Sequence, residues 1–143
     1  MEKQALNLIN LYNEKGQKHG YWEEYFYDGQ ICSKGNFVNG RKNGYWEEYH
    51  GNGQLWMKGN FFNGNTDGYW EYYYENGQLM RKGNWVNGKQ DGYWEEYRSD
   101  GQLMCKGNFV YGKFHEEKPV TELTMDEIAE RFGIPVNQLK IKK

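Results

Sequence analysis

Residues Gly44-Tyr45-Trp46-Glu47-Glu48-Tyr49-His50-Gly51-Asn52-Gly53-Gln54-Leu55-Trp56-Met57-Lys58-Gly59-Asn60-Phe61-Phe62-Asn63-Gly64 decide the fold. Two aromatic-rich runs flank Asn52-Gly53, the strongest short-range signal for a β-hairpin with a two-residue type I′ turn. The opening recurs as Gly20-Tyr21-Trp22-Glu23, Gly68-Tyr69-Trp70-Glu71 and Gly92-Tyr93-Trp94-Glu95, each start 24 residues after the last. Each copy also carries a second tyrosine, an Asn-Gly or Asp-Gly turn, and Lys-Gly-Asn followed by an aromatic. A fixed period of this length marks an array whose units stack on their neighbours.

The turn predicts a register, with Tyr49 facing Trp56, Glu48 facing Met57, Glu47 facing Lys58 and Trp46 facing Gly59. Glu47 and Lys58 then form a cross-strand charge pair, repeated as Glu23 with Lys34, Glu71 with Lys82 and Glu95 with Lys106. Trp46 covers Gly59, which has no side chain of its own to pack, and Trp22, Trp70 and Trp94 do the same for Gly35, Gly83 and Gly107. Second turns such as Asn39-Gly40 join the hairpins, and residues before Gly16 supply a degenerate first strand. The expected fold is all-β: an elongated, twisted antiparallel meander of about nine strands over residues 1–115, with a short α-helical segment in 116–143.

Alternation separates two faces. One carries Trp22, Trp46, Trp70 and Trp94 with Ile31, Leu55, Leu79 and Leu103 and with Phe37, Phe61, Trp85 and Phe109. This apolar face is a candidate for homodimerisation. The other carries Tyr21, Tyr45, Tyr69 and Tyr93, then Tyr25, Tyr49, Tyr73 and Tyr97, with the Glu and Lys ladders between. Tyrosine offers large contact area at low entropic cost, so this face reads either as a stabilising aromatic ladder or as a partner-binding surface. Tyr45, Tyr49, Tyr69, Tyr73, Glu47 and Lys58 are the candidate contact residues. Three departures from the repeat, Trp56, Phe62 and Tyr72, cluster in or beside the third copy. Trp56 and Phe62 are expected to share the tyrosine face as its central anchor.

Composition narrows the function. The chain has 143 residues and 26 aromatics (13 Tyr, 6 Trp and 7 Phe), too many for ordinary disorder. Its mean hydropathy of -1.10 leaves aromatic rather than aliphatic area to carry the burial. With 18 basic and 20 acidic side chains, the net charge of -2 suits neither a non-specific polyanion binder nor a strongly acidic DNA mimic. No window reaches the ~18 apolar residues of a membrane span, and the opening Met1-Glu2-Lys3-Gln4 lacks a signal-peptide layout. A cytoplasmic location follows as an expectation. Cys32 and Cys105 are expected on opposite faces, three repeats apart and reduced.

The pattern Gly-x-Trp-x-x-Tyr, Asn/Asp-Gly-Gln-Leu, Lys-Gly-Asn-Phe and Asn-Gly, over residues 16–115, resembles the MORN repeat in its bacterial variant, which defines the YwqK-type antitoxin family. The resemblance implies scaffolding, dimerisation, or contact with proteins or lipids, and no catalytic residues. Beyond Pro119, Thr124-Met125-Asp126-Glu127 reads as a capping box opening a helix from Met125 to Phe132 that stops at Gly133. Pro135 then fits the first turn of a second short helix. The segment reads as a cap on the array, as a partner-docking motif, or as half of a helix-turn-helix with little length left for a recognition helix. Its Leu-Thr-x-x-Glu-Ile-Ala-x-x-Phe-Gly text resembles tails on small proteins of large tailed phages.

Chemistry for an enzyme is lacking. Glu23-Glu24, Glu47-Glu48 and Glu95-Glu96 are strand neighbours, so their carboxylates point to opposite faces and share no substrate. His19, His50 and His115 fall in different columns without ligand spacing, and the glycines form no phosphate loop. No cofactor or metal is expected. Three functions follow: a non-enzymatic module that neutralises a partner protein, such as a toxin or defence effector, by direct contact; a homodimerising scaffold; and sequestration of a small ligand or nucleotide in an aromatic groove.

Overall fold

The computed structural model describes residues 9–118, 124–133, 135 and 137. Ten strands follow one another in a single open antiparallel sheet in chain order. They are β1 (Leu11–Tyr12), β2 (Lys18–Tyr25), β3 (Ile31–Val38), β4 (Arg41–Tyr49), β5 (Leu55–Phe62), β6 (Asn65–Tyr73), β7 (Leu79–Val86), β8 (Lys89–Tyr97), β9 (Leu103–Val110) and β10 (Lys113–Glu116). A helix, α1 (Met125–Phe132), follows. The meander is as expected, with ten strands in place of about nine. The second helix expected after Pro135 falls largely outside the described residues.

The type I′ turn expected within each repeat is found between repeats instead. Between repeats, Asn39-Gly40 takes positive φ at both residues (49° and 78°), the type I′ signature, and so does Asn63-Gly64. Within a repeat, Gly53 N donates to His50 O while His50 N donates to Gln54 O, and only Gly53 of the turn residues is left-handed. That is a three-residue loop ending in a glycine bulge. Asn52 instead keeps negative φ and accepts Gln54 N–H on its side-chain oxygen. The longer loop advances β5 by one residue: Tyr49 pairs with Leu55, not Trp56, and a bulge restores Glu48 opposite Met57.

This bulge moves a column. Cross-strand partners share a face, so Ile31, Leu55, Leu79 and Leu103, paired with Tyr25, Tyr49, Tyr73 and Tyr97, lie on the tyrosine face rather than the tryptophan face. The unpaired residues Cys32, Trp56, Met80 and Met104 turn to the tryptophan face in their stead. Met80 packs there against the Trp70, Tyr72 and Trp94 cluster. Trp56 lines a cavity with Ser33, Lys42 and Glu48. Trp56 and Phe62 therefore do not share a face, and Cys32 and Cys105 share the one they were expected to divide; both thiols are free.

A second irregularity interlocks the repeats. Across β3 and β4, Gly35 pairs with Trp46 and Asn36 with Asn43, leaving Gly44 and Tyr45 without partners in β3. Gly44, at φ 77°, makes the bend. The Asn36 carbonyl faces this gap and accepts the Trp46 indole N–H at 3.0 Å; Trp70 and Trp94 bond Asn60 and Asn84 likewise at 3.1 Å. Each indole thus lies over the glycine of the preceding repeat, Trp46 on Gly35, Trp70 on Gly59 and Trp94 on Gly83, not over the cross-strand glycine of its own hairpin. The ion pairs point the same way: Lys34 to Glu47 at 2.7 Å, Lys58 to Glu71 at 2.7 Å and Lys82 to Glu95 at 2.8 Å, each between repeats. Alternation puts a glutamate in register on both sides of every lysine, so pattern alone does not choose.

The tryptophan face buries itself without a second layer. Trp46, Trp70 and Trp94 are no more than 1% exposed, and Phe37, Phe61, Trp85 and Phe109 meet them edge to face. Lys42 Nζ sits 4.4 Å above the Trp46 ring and is held by Glu48; Lys18 covers Trp22. Tyr72 is core here, stacked on Trp70, with the Arg81 guanidinium 4.4 Å from its ring centre. Within the single chain, the Trp22, Trp46, Trp70 and Trp94 column expected to serve homodimerisation is already covered, at exposures of 6% or less.

At the C-terminal end, β10 lacks the two bulge residues, so His115 pairs with Asn108 and Glu116 takes the tryptophan position over Gly107. Glu117 still meets Lys106 at 3.4 Å. Thr124 and Glu127 form the capping box of α1, and left-handed Gly133 closes it. Arg131 reaches Glu117 at 3.7 Å and Lys118 bonds Glu127, so charge joins the helix to the end of the array. The last turn is strained: Tyr111 stands at φ 50° where Asn39, Asn63 and Asn87 stand upstream. Tyr111→Asn should stabilise the β9–β10 hairpin by about 1 kcal/mol, read as slower amide exchange over residues 107–116.

Candidate interaction surface

The tyrosine face is built from one repeated cluster. Glu47 accepts the Tyr45 hydroxyl at 3.0 Å, the Tyr49 hydroxyl at 2.5 Å and the Lys34 ammonium. Glu71 does the same for Tyr73 and Lys58, and Glu95 for Tyr97 and Lys82. Each lysine also lies over a tyrosine ring, 5.4 Å for Lys34 on Tyr49. Glu47 and Lys58, neighbours in register, thus belong to successive clusters. These contacts tie down the hydroxyl ends, with lysines over the Tyr49, Tyr73 and Tyr97 rings and the Tyr45 ring left exposed.

Charge is balanced within the clusters. Burial pushes the Glu47 and Glu71 carboxyls up, but donation from their lysine and tyrosine partners outweighs it and holds both below the ordinary 4.5; for Glu95 the Lys82 hydrogen bond is the leading cause. Lys34, Lys58 and Lys82 are raised, first by those glutamates. Tyr49 and Tyr73 are raised by burial and then by their glutamates, and Tyr97 by Glu95 first. Depressed carboxylates contribute stability that is present above pH 4.5 and lost as pH falls through their folded values. Raised lysines and tyrosines contribute stability that is present up to about pH 10 and lost as pH rises further. The thermal midpoint should therefore be flat from about pH 5 to 10 and fall on both sides. A maximum confined to neutral pH would contradict this ladder.

Exposure distinguishes the tyrosine columns in the second to fourth repeats, whereas in the first Tyr25 is exposed and Tyr21 half-buried. Tyr45, Tyr69 and Tyr93 are 50%, 49% and 41% exposed, and Phe62 is 61% exposed on the same face. Tyr49 and Tyr73 are half-buried beside their glutamates. Trp56, 40% exposed, stands on the opposite face near His50. Phe61 and Trp85 are half-buried in the aromatic core. The sequence reading passed over the exposed Asn60 and Asn84, which lie beside Tyr45 and Tyr69 in register; the recurring Lys-Gly-Asn was the available signal.

The described residues bring no three metal-ligating side chains together. Burial and then Glu96 and Glu116 push the Cys105 thiol up, making it a poor nucleophile. No helix among them is long and apolar enough to cross a membrane. A hairpin array with a self-covered indole face and an ordered tyrosine face is a β-repeat module. The chain belongs to the MORN repeat variant family, whose profile matches residues 18–39, 42–63, 66–87 and 90–111. Repeats of this family are non-enzymatic and often serve as protein- or membrane-binding modules. No curated protein matches the chain.

Proposed function

We propose that this protein is a cytoplasmic, non-enzymatic module that binds a partner protein through its tyrosine face and neutralises it by direct contact, in the manner of an antitoxin. The observation that carries this reading is the asymmetry of the sheet. Indoles on one face are used up between repeats, whereas the other face presents Tyr45, Tyr69, Tyr93 and Phe62 on a rigid, charge-balanced frame. Aromatic side chains with few rotamers, preorganised at the centre of a surface, are the residues that dominate protein contacts. Tyr49, Tyr73, Glu47 and Lys58 support the exposed rings, and Trp56, on the other face, is outside this contact.

Native mass spectrometry of the tagged full-length chain purified from its own host background tests the reading. One protein at fixed stoichiometry is expected. Tyr69→Ala and Phe62→Ala should each weaken that complex about tenfold, and Trp56→Ala should leave it unchanged. A homodimer carrying no other protein would overturn the proposal.

A further inference from the structure

The tyrosine face has a period, and the period selects a ligand shape. Tyr45, Tyr69 and Tyr93 stand on β4, β6 and β8, two strands apart, which is roughly 9.6 Å at ordinary strand spacing. Between Tyr45 and Tyr69 lies a trough of about 340 Å³, floored by Gly59 and Asn60 and lined as well by the ion-paired Lys58 and Glu71. Exact repetition puts Gly35-Asn36 and Gly83-Asn84 in the corresponding positions one repeat to either side. Asn36, Asn60 and Asn84 give their backbone carbonyls to the indoles, while their exposed carboxamides make no hydrogen bond among the described residues. Each slot thus offers two aromatic walls and a spare amide donor.

A polyproline II helix advances about 9.3 Å per three-residue turn and leaves its carbonyls free. Over three slots it drifts from the tyrosine spacing by about 1 Å. An α-helix, at roughly 10.5 Å per seven residues, drifts by about 3 Å, and an extended strand repeats at roughly 6.7 Å. Charge agrees with the geometry. Each lysine of the ladder is paired with a glutamate, and the flanking Arg41, Asp67, Lys89 and Asp91 carry two charges of each sign. The strip therefore favours an uncharged ligand rich in acceptors and poor in donors, which describes a proline-rich segment. We infer that the partner presents such a segment, laid along the array with one turn seated between successive tyrosines. The inference rests on the tyrosine face being the contact surface.

The test titrates the isotopically labelled full-length chain with a five-turn (Pro-Pro-Ala) peptide, an amphipathic helical peptide and a Gly-Ser peptide of equal length, following the asparagine carboxamide signals. The proline peptide should shift Asn36, Asn60 and Asn84 saturably. Tyr69→Ala and the milder surface change Asn60→Ala should each weaken it about tenfold, with the folded spectrum retained. A single-turn peptide should bind far more weakly than five turns. Stronger binding by the helical peptide, equal binding by the Gly-Ser peptide, or no shift with the proline peptide would overturn the ligand class while leaving the tyrosine face as the contact surface. A natural partner whose affinity ignores Tyr69→Ala would overturn both.

Discussion

Replacing Gly59 with alanine is expected to destabilise the protein by about 3 kcal/mol, the upper part of the range for forcing a methyl into a packed core. A methyl carbon built on Gly59 would lie 2.2 Å from Cδ2 of Trp70 and 2.4 Å from Cε2. These are ring atoms of a side chain that is 1% exposed and anchored through its N–H to the Asn60 carbonyl, so it has no rotamer to retreat into. Urea unfolding followed by tryptophan fluorescence measures the cost. Alanine at Gly51 is the control, because nothing lies within 4 Å of its added carbon and the loop is exposed. In a Trp70→Ala background the cost of Gly59→Ala should largely vanish, since the clash partner is gone. An unaltered penalty in that background would show that strand propensity, not the indole, holds the glycine.

The second large effect is expected at Trp94. Truncation to alanine removes a fully buried indole that meets Trp85 and Phe109 edge to face and lies beneath Arg81. A loss of roughly 3 to 5 kcal/mol is expected from burial and the cavity left behind. Trp94→Phe separates the terms. It keeps most of the apolar area but strands the Asn84 carbonyl that accepts the indole N–H at 3.1 Å, at a cost of about 1 to 3 kcal/mol. Because contacts run between neighbouring repeats, the damage should spread to the hairpins on either side before reaching β2. Amide exchange resolved by strand would show that gradient, and uniform loss of protection would speak against nearest-neighbour coupling.

The ladder and the meander were legible in the text of the repeat. Twenty-four-residue periodicity, two-residue alternation and paired turn signals were enough to place Trp46 opposite Gly59 and Glu47 opposite Lys58, as observed. The face of Trp56 was not legible. It depends on whether Asn52 is left-handed, and Asn-Gly occurs here in both a type I′ turn and a glycine-bulge loop. One added loop residue reverses the face of every side chain up to the next bulge. That is why the leucine column and the Trp56 column exchanged places.

By itself the sequence determined that this protein is a chain of hairpins with glycine beside every core tryptophan, and that one face is tyrosine and the other indole. Those features follow from local periodicity and from residue types that only one backbone conformation accommodates. Only the tertiary structure decided in which direction the repeats lock. Each Gly35-like or Lys34-like position has an in-register partner on both sides, and alternation is blind to which is used. The bulge at Gly44 and its counterparts opens a carbonyl on the preceding strand that the indole N–H must satisfy, and that bond draws tryptophan onto the earlier repeat. With the indoles committed inward, the exposed rings on the tyrosine face of the second to fourth repeats are those of Tyr45, Tyr69, Tyr93 and Phe62.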